Sequence, residues 1–275
     1  RHMRPRPAVE AHHFEALGTS CSIFGLGVSQ SQLLKGEFWV RELGTRITRF
    51  SDRSELAALN HADGAWVDVS AEMEELLRES LRAYEMSAGL VNVAVLPSML
   101  AIGYTRPLAE GPTTAAPERA APAPALVDVL TVRPRGARLQ RGCGLDLGGI
   151  AKGWMADRLA LQLGPDSLVN IGGDLRAVGP GPAGDGWPVG MGGATVMLRD
   201  QGAATSSVRR RRWGDLHHLI DPRTGLPSSS WLEEVSVVAA SGCDAEVVAK
   251  AALLLGPGLA TAYCAAHAQA WWFSS

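Results

Sequence analysis

Strand-like and helix-like stretches interleave along this chain without a regular βαβ rhythm, and that irregularity limits the fold more than any other feature. A doubly wound parallel sheet needs alternating strands and crossover helices; runs of both kinds in irregular order point to α+β. Residues 14–27 read as a strand hairpin turning at Gly18-Thr19. Residues 31–48 carry Leu33, Leu34, Trp39, Val40, Leu43 and Ile47 at helical spacing. Ser51 or Ser54 caps a short helix ending near Asn60, and Ser70 opens a longer one closed by Gly89. Short strands are expected at 126–133 and 137–139, and a helix over about 150–163. Strands follow at 169–171, within 187–198 and at 202–207; the last strong strand, 234–240, precedes a helix over 244–255 stopped by Gly256-Pro257. Residues 106–124, rich in Pro, Ala and Thr, read as an exposed mobile loop.

With 275 residues, 46% hydrophobic and 20% charged, the chain has the composition of a globular protein with a substantial core. A net charge of -2 argues against a general nucleic-acid binder. The run Arg209–Arg212 reads as a solvated patch rather than an anion site. Cys21, Cys143, Cys243 and Cys264 lack metal-ligand spacing and read as free thiols in a reducing compartment. No apolar run reaches the ~20 residues of a membrane helix. Arg1-His2-Met3 reads as a vector remnant at the head of a disordered stretch, 1–13. Localisation is therefore expected to be cytoplasmic, or membrane-associated or exported if a leader has been cut away. Only three of the 26 basic residues are lysines, Lys35, Lys152 and Lys250. In an arginine-rich chain, a lysine inside a motif suggests a compact point charge.

Four stretches bear chemistry. In LDLGGIAKGW (145–154), two glycines between a strand and a helix let backbone N–H groups approach an anion at a helix N-terminus. Lys152 falls in the first helical turn, where a purely structural residue would more naturally be acidic. A turn with a surface lysine is the equal alternative. In VNIGGDLRAVG, Asp174 follows a tight turn and suits a ribose hydroxyl or an amino group; a plain hairpin is the bland reading. In HHLIDPRTG, a histidine three residues before Asp221 can be a general base oriented by that carboxylate, or both histidines can be strand residues beside a turn. In AEVVAK, Glu246 and Lys250 are i,i+4 neighbours, and a simple helix pair is the better reading of the residues alone.

In order, ALGTS, RFSDRSELAALN, SAGLVNVAVLPSMLAIGY, LDLGGIAKGWMADRLA, NIGGDLRAVG, ATSSVRRRRW, HHLIDPRTGLP and AEVVAKAALLLG resemble the ApbE family of FAD:protein FMN transferases. The resemblance covers about residues 14–256, read as the transferase domain, with 257–275 as a C-terminal extension. It implies an α+β fold of two related, closely packed halves clasping a flavin. The implied reaction moves the FMN moiety of FAD onto a Thr or Ser hydroxyl of an acceptor flavoprotein, releasing AMP. Hydrolysis of FAD to FMN and AMP, or FAD binding without catalysis, are the alternatives. By resemblance Leu17, Phe50, Leu90, Val91, Asn92, Asp146, Lys152, Asp174 and Ile220 line the FAD pocket, and His218 is the base. The family's Mg²⁺ ligands fall on the Gly149 carbonyl, Glu246 and Lys250. A protonated lysine cannot ligate a metal. Either Mg²⁺ binds through fewer protein ligands and more water, or the Lys250 ammonium takes its place.

Overall fold

A computed structural model describes residues 8–275. Seven strands form one antiparallel sheet in the order Val9–Ala16, Thr19–Leu26, Ser167–Ile171, Asp174–Val178, Gly202–Ser207, Glu234–Ala239 and Ala270–Ser274. Alternate residues of a strand face opposite sides, and here each side has its own cover. Val169 and Ile171 join the core under the helices, whereas Leu168 joins Leu175, Ala177 and Ala203 on the other side. That second side is closed by the hairpin Trp187–Met191 and Ala194–Leu198, through Trp187, Val189 and Leu198. A smaller three-stranded sheet, Trp66–Asp68, Gly136–Leu139 and Leu130–Arg133, sits beside the helices Glu55–Asn60 and Ala71–Met86. The α+β expectation holds.

The helices Gln30–Ile47, Ala151–Gln162 and Gly242–Leu255 cover the first side. Helix Gly242–Leu255 is apolar on nearly every face because it lies at the centre, against the sheet, helix Ala151–Gln162 and the following helix Pro257–His267. Gly153 permits the closest approach of the two central helices: a Cβ there would meet the Gly242 carbonyl oxygen at 2.7 Å. Asp157 then caps the neighbouring helix from outside its own chain segment, accepting from the N–H groups of Gly242 at 2.7 Å and Cys243 at 2.9 Å. Burial pushes its carboxyl up to about 6, against those two hydrogen bonds. Asp157→Ala removes two partners from a helix N-terminus, which costs about 1–2 kcal/mol. A urea-unfolding midpoint lowered to match is expected; an unchanged midpoint would show that the cap contributes nothing.

Several sequence expectations need correction. Residues 1–7 of the expected disordered start lie outside the described residues, but 9–13 belong to an edge strand paired with Ser22 to Leu26. The stretch 257–275 is part of the domain: Pro257 stands in the first turn of a helix, where its missing N–H costs nothing, and Ala270–Ser274 completes the sheet. Residues 126–129 form a helical turn before strand Leu130–Arg133. The Pro/Ala-rich loop is tied to its surroundings: Thr113 donates to Gly103, Ala116 to Ala101 and Ala123 to Pro222. Residues 145–149 are not a strand, because their backbone groups are engaged elsewhere. Asn60 grips Leu145 through both amide ends, at 2.8 and 3.0 Å, and Asp146 donates to the Val93 carbonyl. All four cysteines are free thiols.

Candidate functional site

Strand ends and helix starts converge at one end of the large sheet. There the hairpin turn at Leu17-Gly18, the Gly148-Gly149 loop, Asp174, strand residues Thr205 to Ser207 and the two central helices enclose a cavity of about 1080 Å³. That is the upper end of the size of small-molecule and cofactor sites, ~300–1,000 Å³. Of the fourteen residues singled out in the sequence, thirteen line it. Leu17, Leu90, Val91 and Ile220 form apolar wall, and Phe50 with Tyr104 forms an aromatic one, their rings 5.8 Å apart. Asn92 faces the cavity, yet both ends of its amide serve the backbone, accepting from Ala94 at 2.9 Å and donating to Pro124 at 2.8 Å. Its first duty is to shape that wall.

The polar wall is built from opposed charges. Lys152 donates to Asp174 at 2.5 Å, and the Asp174 side chain is only 3% exposed. Burial pushes the Lys152 ammonium down, but Asp174 and Glu246 hold it above its ordinary value. Glu246 and Lys250 do not pair as helix neighbours; each has its own partner. Glu246 accepts from the Gly153 N–H at 2.9 Å, and Lys250 donates to the Gly149 carbonyl at 2.7 Å. Burial, reinforced by Asp174, raises the Glu246 carboxyl to about 7 despite the two lysines. Burial lowers the Lys250 ammonium, opposed chiefly by Glu246.

His218 and His217 have separate fates. His217 is structural: Nε2 donates to the Ser228 carbonyl at 3.0 Å, and Nδ1 accepts from Leu219. His218 lines the cavity, its Nδ1 buried and without a hydrogen-bond partner. Desolvation first, then the charges of Arg211, Lys250 and Lys152, hold the imidazole well below its ordinary 6.5. A neutral histidine near neutral pH is the form that accepts a proton.

Asp221 is the exception among the expected residues. It is absent from the cavity wall, and its carboxylate is held by Arg223 through the backbone N–H, Nε and Nη2 at 2.7–3.2 Å. Arg223 in turn donates to the Leu254 carbonyl at 3.1 Å, tying the histidine-bearing turn to the end of helix Gly242–Leu255. Proximity in sequence suggested an orienting partner for His218; the type of turn, with Thr224 and Gly225 donating to the Asp221 carbonyl, aims the side chain elsewhere. Asp221→Asn is therefore expected to lower thermal stability while leaving the acid limb of the activity profile in place. A shifted limb would restore Asp221 to the side of the base.

Among the cavity residues that the sequence reading did not single out are three arginines. Arg210 and Arg211 line the cavity, so the arginine run is not a solvated patch; only its ends, Arg209 on Glu233 and Arg212 on Gly214, are surface pairs. Arg49 is the third. Its guanidinium pairs with Asp146 and lies 4.2 Å from the Phe50 ring centre and 4.5 Å from that of Tyr104. Its Nη2 is buried without a partner.

The Mg²⁺ expectation meets a donor set that does not suit it. The Gly149 carbonyl is taken by Lys250, Asp174 by Lys152, and Glu246 accepts from Gly153. Among the described residues, no three His, Cys, Asp or Glu side chains come together as a metal would need.

Taken together, the site is a cavity lined by cations, with an aromatic wall and a buried histidine, set on an α+β scaffold. The ApbE family model matches residues 17–272, and the chain belongs to that family. It is 32% identical over 246 residues to the FAD:protein FMN transferase of Treponema pallidum, covering 74% of this chain and 66% of that protein. To the enzyme of the same name from Vibrio cholerae it is 26% identical, covering 91% and 83%. A Klebsiella pneumoniae relative matches at 33% over 44% of its own length. In fold it is similar to the crystal structure of the Pseudomonas stutzeri flavinyl transferase ApbE, with a TM-score of 0.82, 22% identity and coverage of 94% and 88%.

Proposed function

We propose that this chain is an FAD:protein FMN transferase, moving the FMN moiety of FAD onto a Thr or Ser hydroxyl of an acceptor flavoprotein with release of AMP. The observation that carries the reading is one cavity holding His218 beside Lys152, Lys250, Arg210 and Arg211. Six cationic side chains line the cavity, Arg41, Arg49 and those four, against three carboxylates, Asp146, Asp174 and Glu246, and the surplus suits a pyrophosphate. The Phe50 and Tyr104 wall, backed by the Arg49 guanidinium, offers a flat surface to a ring system.

Phosphoryl transfer needs positioning and charge neutralisation more than covalent help from the protein. His218 takes the proton of the acceptor hydroxyl as its oxygen bonds to the FMN phosphorus. The bridging P–O bond breaks, and AMP leaves carrying the electron pair. The cations stabilise charge gathering on the phosphate oxygens and on the departing group. Incubating the protein with FAD, with and without a candidate acceptor, and following AMP by chromatography tests this reading. AMP formation that rises with acceptor supports transfer; bound FAD left intact under every condition would reject it.

A further inference from the structure

The cavity contains a cation that no ion has to supply. Helix Gly242–Leu255 is apolar almost throughout, yet Lys250 reaches from it across to the Gly149 carbonyl at 2.7 Å. Glycine at position 149 lets the ammonium come this close: a Cβ there would fall 2.0 Å from Lys250 Nζ, and the lysine tip would have to shift. Lys152 approaches from the facing helix to Asp174, and the buried Glu246 lies between the helices on the Gly153 N–H. Two lysines thus balance two carboxylates inside the wall. A divalent ion added at the same carbonyl would have to displace the ammonium or lie against it. Coulomb repulsion at such separations is severe in a partly buried site.

We propose that Lys250 is a resident cation that neutralises the transferring phosphate, so this chain transfers FMN without a divalent metal at the Gly149–Glu246 position. The assignment rests on the transferase reading given above. In the transfer step, the Lys250 ammonium supplies charge at the phosphate while the hydroxyl proton goes to His218 and AMP departs. Nothing is oxidised or reduced.

The test uses the whole chain with FAD and two readouts, AMP release and Mn²⁺ binding followed by electron paramagnetic resonance. In the wild type, AMP release is expected to be the same in EDTA as in millimolar Mg²⁺, with no stoichiometric Mn²⁺ bound. Lys250→Thr, which replaces the ammonium by an oxygen donor, should lose ~10²–10³-fold in EDTA, regain activity with Mg²⁺ and bind Mn²⁺. Lys250→Met should show the same loss with no recovery. Stoichiometric Mn²⁺ on the wild type together with loss of activity in EDTA would overturn the assignment. If the wild type releases no AMP under any condition, the transferase reading fails. The Mn²⁺ titration of the wild type then decides the cation question alone: binding contradicts it and absence supports it. That arm also holds if either variant fails to fold.

Discussion

His218→Ala is expected to reduce AMP release by ~10²–10⁴-fold, the usual range for loss of a general base, while FAD still binds, as read by titration calorimetry. The expectation follows from the division of labour in the cavity. His218 has no carboxylate hydrogen bond, its Nδ1 is unpartnered, and three cations surround it. The transferase reading assigns FAD binding to other groups, so removing the ring should spare affinity and strike the chemical step. The same environment fixes a pH dependence. A base held below 6.5 is neutral, and therefore active, above its folded value, so the acid limb should lie below pH 6.5. Arg211→Gln removes one of the depressing charges and should move that limb upward. Linkage gives stability the matching sign: the unfolded chain binds a proton through 6.5 that the native imidazole resists. The contribution is fully present above 6.5 and declines as pH falls below it. Full AMP release by His218→Ala would remove His218 as the base, and a limb at or above 6.5 would contradict the role of the surrounding cations.

Lys152→Met is expected to cost about 3–5 kcal/mol of stability, because it strands a buried carboxylate. Asp174 is 3% exposed, and Lys152 is the only hydrogen-bond partner of its side chain among the described residues. The double variant Lys152→Met/Asp174→Leu removes both charges and should recover most of that stability, as replacing a buried pair by apolar groups often does. It should not recover FAD binding if, as the transferase reading proposes, the Lys152 ammonium also serves the phosphates. Chemical denaturation of the two variants, with FAD titration alongside, separates these effects. Equal destabilisation of single and double variants would show that the pair does not act as a unit. Unimpaired FAD affinity in the double variant would show that Lys152 serves the fold alone.

The residues that sequence made legible are those whose setting is local. Ser54 and Ser70 cap helices at the positions their spacing suggests, and Lys152 is conspicuous in a first turn that would otherwise favour an acid. Glu246 and Lys250 read from the residues alone as an ordinary helix pair; it is the nearly apolar helix around them that marks them as buried charges. What stayed hidden depends on long-range packing. Arg210 and Arg211 look like any charged run, and only the fold brings them to the cavity wall. Arg49 lies just past a helix end, and only the distant Asp146 and Tyr104 give it a role. Leu145 to Leu147 alternate like a strand, but Asn60 takes the backbone groups a ladder would need. Pro257 reads as a stop because proline ends helices from within; at a first turn it opens one instead. The Ala270–Ser274 edge, bulky on successive positions, offers no alternation to read.

The most direct test of the transferase is intact-mass spectrometry of a candidate acceptor flavoprotein incubated with FAD and this chain in ¹⁸O-labelled water. The expected result is an acceptor that gains one unlabelled FMN through a Thr or Ser oxygen, with AMP released in equal amount and both lost in His218→Ala. Free FMN carrying ¹⁸O beside an unmodified acceptor, or FAD recovered whole, would contradict it.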